Sequence, residues 1–257
     1  MGAQGVKLRE HSPAMRLFIF SLLFTLSAAA VAQESLTANE LLTRSMAFHD
    51  PDSKWTKCRF DLVIDMQMPG RPVRTSQVVI DNEKGTFELS VLQQGHMLKW
   101  MVDGKDSTEV EMDFRAPDAA LADSMNLTPD RARRWRDYYA YLYGLPMKLT
   151  DEGVNLQEGV ISTTFNGQPV LALKVNYDEK VGSDVWYFYF NPNTYAMVGY
   201  RFYHDEAKND GEYIVLEGMS IHNGMRIPRD RTWYMNADDK LLGTDYLVSM
   251  EVKRYWD

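Results

Sequence analysis

The chain has 257 residues, with 28 lysines and arginines against 36 aspartates and glutamates, a net charge of −8, and a single cysteine, Cys58. This acidic balance excludes a sequence-independent grip on nucleic acid or anionic lipid. One cysteine excludes an intrachain disulfide, so the fold must rest on its own core.

Residues 1–32 read as an export signal. Lys7, Arg9 and Arg16 precede the apolar run Leu17–Ala32, and Ala30-Val31-Ala32 has the small-x-small form of a cleavage site, so the cut is expected between Ala32 and Gln33. A permanent anchor needs about 20 apolar residues and a charged stop. Sixteen residues ending in alanines fit cleavage better. A lipoprotein would need a cysteine after the cut, where Gln33 stands, and Met15 is an alternative start. Residues 33–257, 225 in number, lose Lys7, Arg9, Arg16 and Glu10 with the signal and carry −10. They are expected to form one periplasmic or secreted domain without stable membrane insertion.

Thr37-Ala38-Asn39-Glu40 has the spacing of a capping box. Ala38, Leu41, Leu42, Ser45 and Phe48 follow on one helical stripe that ends before Pro51. From Trp55 to Phe114 the period becomes two. Val78 and Ile80, then Phe87, Leu89 and Val91, then Leu98, Trp100 and Val102 keep that period between turns at Pro69-Gly70, 82–85, Gln94-Gly95 and Asp103-Gly104. A second helix runs from Thr128-Pro129 to Gly144-Pro146. Leu142, Trp135, Tyr139, Ala132 and Tyr138 share one side of it, and Arg133, Arg136 and Asp137 the other. Strands are then predicted near 159–165, 168–177, 184–190, 195–203, 212–222, 225–235 and 241–252. With four or five earlier ones they total eleven or twelve antiparallel strands, because no crossover helices separate them.

In the strand 184–190, Trp186, Phe188 and Phe190 face one way and Val185, Tyr187 and Tyr189 the other, so both faces are apolar. Such a strand lies under a helix or lines an interior. Three motif groups carry a resemblance: His49-Asp50-Pro51 with Trp55; Tyr143-Gly144-Leu145-Pro146-Met147-Lys148-Leu149; and Gly224-Met225-Arg226-Ile227-Pro228 with Thr232-Trp233-Tyr234. The chain resembles the LolA-like superfamily of periplasmic carriers, and most closely an uncharacterised family of secreted bacterial proteins assigned to it. That resemblance implies a mainly antiparallel, half-open curved barrel whose apolar concave face is covered by two helices. In the characterised carriers such a cavity takes lipoprotein acyl chains.

No G-x-S-x-G, phosphate loop, G-x-G-x-x-G or H-E-x-x-H occurs, so no catalytic residue, metal or cofactor is assigned. Cys58, between Lys57 and Arg59 at a strand start, reads as a buried or inert thiol. His49-Asp50 admits two readings, a polar catalytic pair or a helix stop with a histidine at the helix C-terminus. His204 and His222 sit beside turns. Arg131, Arg133, Arg134 and Arg136 are mostly a solvated face, and Arg131, nearest the aromatic stripe, could offer a cation to a ligand headgroup at a cavity mouth. The expected function is therefore a carrier for a lipid or other hydrophobic ligand, without catalysis. Its cavity or lid is assigned to Trp100, Arg131, Trp135, Tyr139, Leu142, Trp186, Phe188 and Trp233, while His49, Asp50 and Trp55 form a motif without an assigned role. The alternatives are a secreted enzyme built on His49 and Asp50, and an outer-membrane barrel, which short strands and a charged helix disfavour. Oligomeric state and ligand identity are left open.

Overall fold

The structure, a computed structural model, describes residues 36–105 and 107–254. The expected export signal and its cleavage point lie outside the described residues. The first strand pairs with the last, and this pairing organises the sheet. Five strands, β1 (Arg59–Gln67), β2 (Arg74–Asp81), β3 (Thr86–Gln93), β4 (His96–Asp103) and β5 (Ser107–Met112), make one antiparallel meander. After the helices come β6 (Val154–Leu156), β7 (Ile161–Phe165), β8 (Gln168–Tyr177), β9 (Val185–Phe190), β10 (Met197–Tyr203), β11 (Glu212–Glu217), β12 (Ser220–His222), β13 (Met225–Ile227), β14 (Asp230–Met235) and β15 (Leu241–Lys253). The main sheet has 13 strands in the order 5-4-3-2-1-15-14-11-10-9-8-6, with β7 also on β8, while β12 and β13 form a separate hairpin. The sheet is curved, open and antiparallel throughout.

Its two free edges are β5 and the β6/β7 pair, and the chain must travel between them. The connection carries α2 (Ala119–Ser124) and α3 (Pro129–Gly144), and it crosses the concave side. The capping box predicted for α1 (Ala38–His49) is present: Thr37 Oγ1 accepts from Glu40 N at 3.2 Å and Glu40 Oε2 from Thr37 N at 2.8 Å. Its buried stripe ends on His49 rather than Phe48, which is half-buried.

The strand count exceeds the expectation for local reasons. Gly218 turns the chain with φ +63° and Pro228 has no N–H, so the β11–β14 ladder stops at Glu217↔Asp230 and the intervening residues pair with each other as β12 and β13. The three-residue β6 and the six-residue α2, capped by Asp118, are too short to show periodicity. Every inward residue named for the first meander, from Val78 to Val102, is buried.

At the end of α3, Gly144 is packed against a ring: a Cβ built there would lie 2.7 Å from Trp55 Cε2 and 2.6 Å from Lys148 Cγ. Gly144→Ala is accordingly expected to cost about 1–3 kcal/mol, read as a lower urea midpoint at unchanged slope.

Candidate functional site

His49 and Asp50 act as anchors. The ring of His49 is fully buried, with Nδ1 2.6 Å from Arg226 O and Nε2 2.9 Å from Met197 N. A carbonyl can only accept and an amide can only donate, so Nδ1 carries the proton and the ring is neutral. Burial pulls its pKa down to about 4, with the nearby Arg231 and Arg226 charges adding to the effect and the bond to Arg226 O opposing it. Asp50 accepts from Lys54 N at 2.7 Å and Trp55 N at 2.8 Å. Both ring nitrogens and both carboxylate oxygens are thus tied to backbone, which fixes the end of α1 against the β12–β13 hairpin and the segment leading to Trp55. Trp55, buried against Phe60 at 4.8 Å between centroids, carries this anchor to Gly144 at the end of α3. His204 pairs with Asp184 at 2.7 Å on the surface, and His222 Nδ1 accepts from Val252 N at 2.9 Å, so His49, His204 and His222 occupy three separate settings. Cys58 is buried and free.

The residues assigned to the cavity do come together, and helix α3 is what brings them. Thr128 Oγ1 caps it at Arg131 N, 3.2 Å away. Its underside buries Ala132, Tyr139, Leu142 and Tyr143. Trp135 approaches Trp100 (6.4 Å between centroids) and Tyr139 (5.7 Å), and Tyr138 stacks on Trp233 (6.4 Å). Tyr141 meets Trp186 at 5.7 Å, and Trp186 stacks on Phe188 at 5.9 Å. The trough is therefore filled, and its filler is the helix. On the roof, Arg133 pairs with Asp130 and Arg136 with Asp137. Arg131 lies over the Trp135 ring, 4.2 Å from its centroid, with Arg74 5.5 Å from the same centroid. The other face of β9 behaves as expected, since Tyr187 and Tyr189 belong to a separate outer cluster with Phe165.

The concave face is not wholly apolar, and this corrects the expectation. Pairing registers place Arg74, Met66, Asp245, Arg231 and Leu216 side by side across β2, β1, β15, β14 and β11. Arg231 is 1% exposed, and Asp245 2%. Arg231 donates through Nη1 to Pro228 O (2.7 Å) and through Nη2 to Leu142 O on α3 (3.4 Å), and it lies 3.9 Å from the Tyr143 ring centroid. Burial raises the Asp245 pKa to about 6 against the opposing pull of Arg231 and Arg74. The sequence reading missed Arg231 and Asp245, although both stand at inward positions of alternating strands, Arg231 two residues from Trp233 and Asp245 two from the buried Leu247. A charge at an inward parity position was the available signal.

An open sheet with a helix laid along its concave side makes this a LolA-like half-barrel. The fold is shared with a LolA superfamily protein from Nitrosomonas europaea, 11% identical over 85% of this chain and 94% of that one, with a TM-score of 0.51. Within this class, residues 16–250 match the family of unknown function DUF6503, and the chain belongs to that family. It is also similar to a domain assigned as an outer membrane lipoprotein-sorting protein in Vibrio parahaemolyticus (TM-score 0.48, 11% identity, 82% of this chain and 92% of that one). No curated protein sequence matches it significantly. No helix among the described residues is long and apolar enough to cross a membrane.

The two buried titrating groups have opposite linkage. His49 has a folded pKa below its unfolded value, so its stabilisation is complete above about pH 6.5 and fades towards pH 4, by about 3 kcal/mol. Asp245 has a raised folded pKa, so its charge destabilises above about pH 6 and that penalty vanishes towards pH 4. In urea titrations across this range, Asp245→Asn is expected to stabilise by about 2–3 kcal/mol at about pH 8 and by almost nothing at about pH 4. The deficit of His49→Gln should be largest near neutrality and shrink with acid. A pH-independent effect of either substitution would show that the group does not titrate as its burial demands.

Proposed function

We propose that the protein is a non-enzymatic periplasmic or secreted carrier that holds a hydrophobic or lipid ligand on the concave face of the sheet, with α3 as the lid. The Leu17–Ala32 run and the half-barrel fold support this reading. The observation that carries it is the way α3 is held. Among the described residues its hydrogen bonds to the sheet and its turns are few: Tyr139 Oη to Ser76 Oγ at 3.4 Å, Leu142 O to Arg231 at 3.4 Å, Arg136 Nη1 to Lys105 O in the β4–β5 turn at 3.3 Å and the 2.5 Å Tyr141–Tyr177 hydroxyl pair. The rest of the attachment is aromatic and aliphatic contact, with the Arg74 and Arg231 guanidinium groups over the Trp135 and Tyr143 rings.

A hydrocarbon ligand offers the sheet the same kind of contact that α3 does. Replacing the helix underside by an acyl chain keeps the trough dehydrated and breaks little hydrogen bonding. Burying roughly 400 Å² of chain supplies on the order of 10 kcal/mol before ordering costs. That exchange favours a ligand class defined by apolar length over one defined by a particular shape.

Native mass spectrometry of protein recovered from the periplasm of an expressing bacterium reads the main parts of this proposal together. The expected spectrum is a chain beginning at Gln33 with one extractable amphiphile per molecule, and with one dodecyl chain taken up after delipidation. A chain that retains its first 32 residues contradicts the exported form. A protein that is empty on isolation and takes up no dodecyl compound contradicts the carrier.

A further inference from the structure

Beneath α3 the unsatisfied polar atoms are nearly all donors. Among the described residues, Arg231 Nε, Tyr143 Oη, Tyr200 Oη and Trp233 Nε1 are buried without a hydrogen-bond partner, and so are Arg74 Nε and Trp135 Nε1 nearer the mouth. Tyr143 is 0% exposed, and Tyr200 and Arg231 are each 1% exposed. Unpaired buried donors are costly, and native interiors rarely leave several together.

They also sit next to one another. Trp233, Ile214, Tyr200 and Phe188 form an inward row across β14, β11, β10 and β9, one step along β14 from the row holding Asp245 and Arg231. The Tyr200 and Trp233 ring centroids are 6.4 Å apart, and Tyr143 lies under the Arg231 guanidinium. The trough thus has an apolar lane ending at a group of donors with two arginines and one carboxyl. Its complement is a chain that ends in acceptors and carries negative charge.

Resting on the carrier reading above, we propose that the ligand is an anionic amphiphile whose carboxylate or phosphate head is received by Arg231, Tyr143, Tyr200 and Trp233, with Arg74 towards the mouth, and whose apolar chain lies along the row ending at Phe188. Asp245 is the resident counter-charge, and it competes with the ligand head for the arginines. The groups facing it are Arg231 from β14, Arg74 from β2, Tyr138, Tyr139 and Tyr143 from α3, and Tyr200 from β10. Burial raises the pKa of all four tyrosines, so they remain neutral, and His49, which senses Arg231, is neutral down to about pH 4. Asp245 is therefore the group in this set that changes charge near neutrality, and its protonation leaves the arginines free for the ligand. Anion binding is accordingly coupled to proton uptake and tightens as pH falls through about 6.

The test is calorimetric titration of the delipidated full exported chain with dodecanoate, dodecyl phosphate, methyl dodecanoate and dodecyltrimethylammonium. At least one anion is expected to bind about ten-fold or more tightly than the neutral ester, with the cation weakest, and the tighter anion identifies the head as carboxylate or phosphate. An ester that binds as well as both anions overturns the head-group proposal and leaves the carrier standing. Failure of all four to bind removes both. Dodecyl sulfate, whose charge is fixed, reads the coupling: its affinity should rise about ten-fold from about pH 8 to about pH 5. Asp245→Asn, which removes a buried charge and should not impair folding, should bind it tightly at both pH values. A flat profile in the parent protein, or an unaltered one in the variant, also overturns the proposal.

Discussion

A buried guanidinium cannot lose its proton, so the protein must solvate it, and the surroundings of Arg231 are arranged to do so. One nitrogen donates to Pro228 O just before its own strand, another to Leu142 O on α3, the plane lies against Tyr143, and Asp245 stands across the strand pair. This residue joins the floor of the sheet to the helix above it. The seat of the C-terminal half of α3 depends on that tie, and on Gly144 lying against Trp55.

Topology explains why a helix is there at all. The two meanders meet at the β1–β15 pair, which leaves β5 and β6 as opposite free edges of one curved sheet. The chain between those edges has to cross the open side, and a 16-residue helix spans about 24 Å of it. Its aromatic underside is then buried in the trough as a consequence of connectivity. Edge strands left uncovered invite pairing with other chains. Here the short β6 and β7 share one edge, and β5 carries exposed glutamate, Glu109, with Glu111 half-buried.

Much of this was legible in the sequence, because period-two alternation and helix caps are local signals. The strands from Val78 to Val102, the capping box at Thr37 and the two-faced strand at 185–190 are set by neighbouring residues. The breaks at Gly218 and Pro228 were visible as residues, but their effect, a separate hairpin that carries Arg226 to His49, depends on distant partners. The three motif groups look unrelated along the chain and meet in space: His49 bonds Arg226 O, Trp55 packs on Gly144, and Arg231 links Pro228 to Leu142 and Tyr143. The polar row was hidden for the same reason. Arg74, Asp245 and Arg231 become neighbours only through strand register, and composition cannot report register.

Helix α3 lies by largely apolar contact over a floor with unused donors, so the proposed ligand would have to compete with the helix for one surface. Hydrogen exchange of the α3 amides from Ala132 to Tyr143, with and without saturating dodecanoate, tests that competition most directly. Faster exchange along α3 on binding, while the β1 and β15 amides stay protected, is the outcome that competition demands. Equal or slower exchange along α3 in the bound protein would contradict it, because the ligand would then occupy a site the helix does not vacate.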